Sequence, residues 1–143
     1  MVSISPVIHQ EVCVSQHDTS KTGISDILDS FITQHRLPSS YKDSALKWFT
    51  PLAKQLVAHH KRAGRPILVG INGCQGSGKS TLSDLLVSML NKHYQVRTLG
   101  FSIDDFYLSK DARNLLSQQV HPLLATRGVP GTHNSDFLAE CID

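Results

Sequence analysis

Residues 73 to 80 read Gly-Cys-Gln-Gly-Ser-Gly-Lys-Ser: a glycine, four free positions, then Gly-Lys-Ser. This spacing suits a polyphosphate. The oxygens of such a group lie too close together for many side chains to surround them, but backbone N–H groups fit. Glycines let consecutive N–H groups turn inward as an anion-binding nest. Lys79 supplies a mobile cation for the β- and γ-phosphates of a nucleoside triphosphate, and the Ser80 hydroxyl is a ligand for Mg²⁺. A helix beginning here points its positive end at the same group. The bland alternative is a glycine turn before a helix that binds nothing.

A second set of chemically useful residues follows. Asp104 and Asp105 stand side by side in Ser102-Ile103-Asp104-Asp105-Phe106-Tyr107. A carboxylate near a bound triphosphate can orient an attacking hydroxyl and take its proton. Either aspartate can equally serve as a helix cap. Arg127 carries a planar fork suited to an acceptor carboxylate, or to a structural aspartate. His121 and His133 are candidates for substrate contact and also for ordinary loop histidines. Cys74 lies inside the glycine loop, where oxidation would obstruct nucleotide entry.

These residues need particular elements to position them. Ile67-Leu68-Val69-Gly70-Ile71 is the apolar run of a buried parallel strand, expected over 67–72. Leu82, Leu85, Leu86, Met89 and Leu90 recur at helical spacing, which predicts a helix over about 79–92. Val96 to Ser102 reads as a second strand. Strand, helix and strand in this order suggest a right-handed βαβ unit. In open α/β sheets, ligands sit beyond the carboxyl ends of the strands, so the glycine loop and the aspartates would share one crevice. Asp111 to Gln119 is a short helix, 120–134 is a loop, and Asn134 or Ser135 caps a last helix with Phe137 and Leu138 on its buried side.

The segment before the loop is helical. Ile24, Ile27, Leu28, Phe31 and Ile32 form one amphipathic face. That helix should stop near Arg36, because Pro38 disfavours helical geometry at Leu37. Ser39 or Ser40 caps the next helix, with Ala45, Leu46, Trp48 and Phe49 on its apolar face. Thr50-Pro51 predicts a kink or a restart. Gly64 and Pro66 end the helix. Residues 1–20 are expected to be a mobile or loosely docked arm, 21–65 a helical segment, and 66–143 the start of an α/β domain.

Composition sets outer bounds. The chain has 143 residues and a formal charge of +2, with charges of both signs interspersed. No basic cluster alternates with aromatics, which argues against a nucleic-acid surface. No apolar run reaches the roughly 18 residues of a membrane span. Cys13, Cys74 and Cys141 are too widely spaced for a disulfide framework or a metal site, and a reducing cytoplasm is the expectation. No histidine pair has zinc spacing.

Gly-Cys-Gln-Gly-Ser-Gly-Lys-Ser-Thr, followed about twenty residues later by Ser-Ile-Asp-Asp-Phe-Tyr-Leu, resembles the phosphoribulokinase, uridine kinase and pantothenate kinase superfamily. Val120 to His133, with its Arg-Gly-Val-Pro-Gly-Thr-His run, is similar to D-glycerate 3-kinases. The resemblance covers about residues 25 to 143. It implies a P-loop kinase of the three-layer α/β class, with a parallel sheet preceded by a helical segment. It implies ATP and Mg²⁺ as cofactors and ATP phosphate binding by Gly73, Cys74, Gln75, Gly76, Ser77, Gly78, Lys79, Ser80 and Thr81. Asp104 aligns with the catalytic base, assisted by Lys79. Asp105, Tyr107, Arg127 and His133 fall on the acceptor side, and Ser80 is the metal ligand. The implied partner is a small-molecule acceptor, with D-glycerate leading and a nucleoside, pantothenate or a sugar phosphate behind it. A nucleotide-binding module without catalysis, or an inactive remnant, are the other classes. Asn134 stands where the glycerate kinase pattern has Asp. Relatives of this type continue past residue 143, so the chain is expected to be truncated, weakly stable and negligible in phosphoryl transfer by itself.

Overall fold

A computed structural model describes residues 22 to 142; the expected N-terminal arm and Cys13 lie outside this range. Helix α1 spans Ile24–Gln34 and buries Ile27, Leu28 and Phe31, the stripe expected from their spacing. Its end is set by backbone geometry. Arg36 takes a positive φ of 53°, and the Leu37 N–H turns back to the Ile32 carbonyl at 3.0 Å. This satisfies a carbonyl that the finished helix leaves open.

The next helix runs without a break through three parts: α2 Tyr41–Ser44, a π-helical turn Ala45–Phe49, and α3 Thr50–Ala63. The Thr50-Pro51 pair, expected to kink or restart the helix, instead follows one wide turn. Pro51 has no N–H for the Lys47 carbonyl, and its ring crowds that position. The chain accommodates this by widening. The Thr50 N–H reaches back five residues to the Ala45 carbonyl, and Thr50 Oγ1 donates to the same oxygen at 3.1 Å. The expected apolar face is narrower than the sequence suggested. Ala45 is buried and Phe49 half-buried, whereas Leu46 and Trp48 are exposed. Gly64 ends α3 in the left-handed conformation at φ 61°.

Helix α4, Lys79–Lys92, has the boundaries its periodicity predicts and buries Leu85, Leu86, Met89 and Leu90. These side chains meet Ile27, Leu28 and Phe31 of α1 and Ala53 and Val57 of α3 in one core. Leu28, Leu85 and Met89 are fully buried. Truncating any one of them to Ala removes about 2–5 kcal/mol. The helix behind the glycine loop is therefore braced directly by the helical segment that precedes the loop. Lys42 adds a short ion pair to Asp29, 2.6 Å, between α2 and α1. A pair so close to solvent contributes at most about 1 kcal/mol.

The two expected strands are not strands among the described residues. Residues 66–74 and 96–102 carry no strand assignment. A strand is defined by the neighbour it pairs with, and these segments do not pair with each other. Leu68, Val69, Leu99 and Phe101 accordingly stay exposed. The second segment is fixed by α4 instead. The Asn91 side-chain amide donates to the Thr98 carbonyl and accepts from the Thr98 N–H, both at 2.9 Å. A Cβ at Gly100 would sit 3.2 Å from Ser83 and Val87, so glycine allows the segment to lie close on α4.

Helix α5 spans Lys110–Gln119, capped by Ser109 through the Ala112 N–H. A 3-10 turn, Pro122–Ala125, follows inside the expected loop. Helix α6, Ser135–Ile142, is capped by Asn134, whose Oδ1 accepts from the Phe137 N–H at 3.1 Å. Phe137 was expected on the buried side, but it remains 42% exposed while touching Phe106.

Candidate active site

The glycine loop is built by local turns. Gly76 and Gly78 have φ of 76° and 83°, a region where a side chain is strained. A Cβ at Gly73 would lie 2.9 Å from Ser77 Oγ, closer than real contacts allow. The Ser77 N–H donates to the Cys74 carbonyl, and Lys79 Nζ donates to the same oxygen at 2.6 Å. The lysine head thus lies across the loop, where an anion would compete with one neutral carbonyl. Gln75, Gly76, Ser77 and Gly78 precede α4, and Lys79, Ser80 and Thr81 form its first turn. Their N–H groups include the four that open a helix without internal partners. Cys74 is exposed as a free thiol.

These features fit a polyphosphate with Mg²⁺. Among the described residues no cluster of three or more His, Cys, Asp or Glu side chains is arranged to hold a metal. Mg²⁺ does not require one, because it keeps waters and shares phosphate oxygens with a hydroxyl such as that of Ser80.

A cavity of about 370 Å³ opens beside the loop. Ser77, Lys79 and Thr81 form its polar side, and Tyr41, Phe49 and Ile71 line its apolar side. The rings of Tyr41 and Phe49 are 6.0 Å apart. Burial pushes the Tyr41 phenol above its ordinary value. Phe49, expected only to pack its helix, lines this cavity together with Tyr41, for which no role was expected. The signal available was their i, i+8 placement on one face, which does not reveal what that face meets.

The two aspartates are used differently. Ile103–Phe106 is a 3-10 turn rather than the end of a strand. The Ser102 N–H donates to Asp105 Oδ2 at 2.9 Å, and the Asp104 N–H donates to Ser102 Oγ at 3.2 Å. Asp105 therefore serves as a cap, the bland reading of an aspartate here, and its signal was the Ser-x-x-Asp spacing. The Asp104 carboxylate is exposed and accepts no hydrogen bond from the described residues.

Three of the residues expected on the acceptor side converge. Tyr107 and His133 form an antiparallel bridge. It is flanked by bonds from the Leu108 N–H to the Thr132 carbonyl and from the Asn134 N–H to the Phe106 carbonyl. The His133 ring stacks on Tyr107 at 4.0 Å between centroids, and the Arg127 guanidinium lies 5.3 Å from the Tyr107 centroid. His133 Nε2 is buried without a hydrogen-bond partner. Arg127 makes no ion pair among the described residues. His121 is instead a cap, with Nδ1 accepting from the Leu123 N–H at 3.2 Å. No hydrogen bond joins Asp104 or Arg127 to the glycine loop.

The chain is similar to kinases. It is 40% identical over 89 residues to "Uncharacterized kinase mug58" of Schizosaccharomyces pombe, covering 61% of this chain and 32% of that protein. It is 22% identical over 138 residues to the pantothenate kinase of Streptococcus gordonii, covering 96% of this chain and 43% of that one. Over 56 residues it is 38% identical to the urease accessory protein UreG of Lysinibacillus sphaericus, 39% of this chain and 25% of that one. The chain thus spans between a quarter and somewhat under half of the length of these relatives. No family model matches it, and no solved structure matches it. Together the relatives support placement in the P-loop kinase superfamily and a P-loop type of fold, and the described residues are mostly helical. Among those residues no helix is long and apolar enough to cross a membrane.

Proposed function

We propose that this chain carries the phosphate-binding and part of the acceptor-binding machinery of an ATP-dependent kinase whose acceptor is a hydroxyl of D-glycerate. The observation that carries the acceptor is Arg127, held over Tyr107 with no carboxylate partner among the described residues. Its planar fork suits a small carboxylate. The loop resemblance of 120–133 to glycerate kinases adds to this.

The residues then divide the work. Gly73 to Thr81 bind the triphosphate through backbone N–H groups, and Lys79 moves from the Cys74 carbonyl to the β- and γ-phosphates. The Ser80 hydroxyl would hold Mg²⁺, which when bound would supply the charge that neutralises the phosphate oxygens. The acceptor oxygen forms its bond to the γ-phosphorus as the bond to the β–γ bridging oxygen breaks. Asp104 takes the hydroxyl proton, and ADP leaves with the bridging oxygen. Arg127 and His133 hold the acceptor, with Tyr107 as their platform. Asp105 shapes the turn that presents Asp104. The cavity walled by Tyr41 and Phe49 receives the part of the nucleotide beyond the phosphates.

A second reading has pantothenate as acceptor. It is favoured by the match to a pantothenate kinase across 96% of this chain. Pantothenate also bears a carboxylate, so Arg127 alone does not separate the two. The test is an ADP-release assay on the full-length protein with D-glycerate, pantothenate, uridine and ribulose 5-phosphate. Turnover dependent on D-glycerate is the expected result. Turnover only with pantothenate selects the second reading, and turnover only with uridine removes both.

A further inference from the structure

Arg113 is a charged residue in the interior, only 8% exposed. Its Nη1 donates to the Leu108 carbonyl at 3.0 Å and its Nε to the Ala125 carbonyl at 3.4 Å. It has no carboxylate partner among the described residues. Burying a guanidinium against carbonyls alone is costly, and a neutral side chain of similar size would fill the same space at less expense in desolvation. The two carbonyls show what the charge accomplishes. Leu108 directly follows Tyr107, and Ala125 lies two residues before Arg127. One rigid fork therefore ties together the two chain segments whose side chains meet as Arg127 over Tyr107. The other bonds of the 122–126 turn are local, from Leu124 to His121 and from Thr126 to Leu123. They shape the turn without fixing it to Tyr107.

We infer that Arg113 is a positioning residue for the acceptor site. It acts through the Leu108 and Ala125 carbonyls to hold Arg127 against Tyr107, so that the fork of Arg127 faces an anionic acceptor. The inference rests on the acceptor reading given above for its consequence in turnover, but the placement of Arg127 stands apart from it.

The experiment has two arms, both on the full-length protein. Arg113→Met leaves two carbonyls unpaired and tests folding along with position. Arg113→Lys is the deciding variant, because it keeps the charge and one hydrogen bond yet cannot span both carbonyls. The first arm reads NMR ring-current shifts of the Arg127 Hδ and Hε protons. In Arg113→Lys these shifts are expected to collapse, while the methyl signals of Leu28, Leu85 and Met89 stay in place. The second arm reads kinetics. The acceptor KM rises, by up to about 10²-fold for a contact misplaced by an ångström, and the ATP KM is unchanged. Unaltered Arg127 shifts overturn the inference. So does an equal rise in both KM values, which marks general loosening. If the parent protein phosphorylates no carboxylate acceptor, the function reading fails, and the first arm still decides the role of Arg113.

Discussion

Ser102 and Asp105 hold each other across one turn, the Ser102 backbone N–H donating to Asp105 Oδ2 at 2.9 Å. The neighbouring carboxylate of Asp104 is left to face solvent. The two aspartates should thus separate on substitution. Asp105→Ala is expected to lower stability by about 0.5–2 kcal/mol, as for a lost cap. Asp104→Asn should leave stability unchanged and cut turnover roughly 10²–10⁴-fold, as for a lost general base, with ATP affinity intact. Denaturant titration and steady-state kinetics check this pair. A larger loss of turnover in Asp105→Asn would show that the wrong carboxylate has been chosen.

In the proposed function Lys79 exchanges the Cys74 carbonyl, 2.6 Å away, for a polyphosphate. Lys79→Ala should weaken ATP·Mg²⁺ binding by about 1.5–3 kcal/mol, the contribution of a hydrogen bond to a charged group. Calorimetry on the folded protein measures it, and equal affinity in parent and variant rejects the loop assignment.

Tyr41 supplies a pH signature. Burial raises its phenol above the ordinary 10.0, so the folded state disfavours tyrosinate. The stabilisation is complete below pH 10 and is lost as pH climbs through the raised folded value. One of the three tyrosines is expected to ionise late in an absorbance titration. Tyr41→Phe should remove that late step and flatten the alkaline fall in stability. A late step that persists in Tyr41→Phe would reject Tyr41 as its source.

Asn91 stands in for a strand neighbour at Thr98. Asn91→Ala removes two hydrogen bonds, and the expected loss is roughly 1–2 kcal/mol. Amide exchange at Thr98 should accelerate more than exchange in α4. Asn91→Asp should be worse than Ala, because an oxygen then faces the Thr98 carbonyl. Unchanged exchange at Thr98 in both variants counts against the clamp.

Features set by local chemistry were legible in the sequence. The boundaries of α4 follow from its apolar period and the glycines before it, and the stop at Gly64 follows from its freedom at positive φ. Asn134 as a cap was readable as well. Features that depend on distant partners were not. Residues 67–72 have the composition of a strand, but composition does not supply the neighbour. Pro51 marked a disturbance, yet whether the helix kinks or widens depends on how Thr50 bonds to Ala45. Arg113 looks like any arginine on a polar helix, and only the fold puts two carbonyls in front of it. Resemblance put Tyr107, Arg127 and His133 each on the acceptor side, but their meeting was not read from the sequence, since twenty positions separate Tyr107 from Arg127.

The wide turn at Ala45–Phe49 places Trp48, the sole tryptophan, at 62% exposure beside Phe49 on the cavity wall, with Lys47 Nζ 4.9 Å from its ring centre. Nature has left a fluorophore one residue from the pocket and outside the packed interior. Its emission reports on movement of that wall without any dye. Ligand entry that shifts Phe49 alters the ammonium–indole contact, and quenching by iodide follows the change in real time. An intrinsic optical probe for the proposed nucleotide entry is thus already part of the sequence.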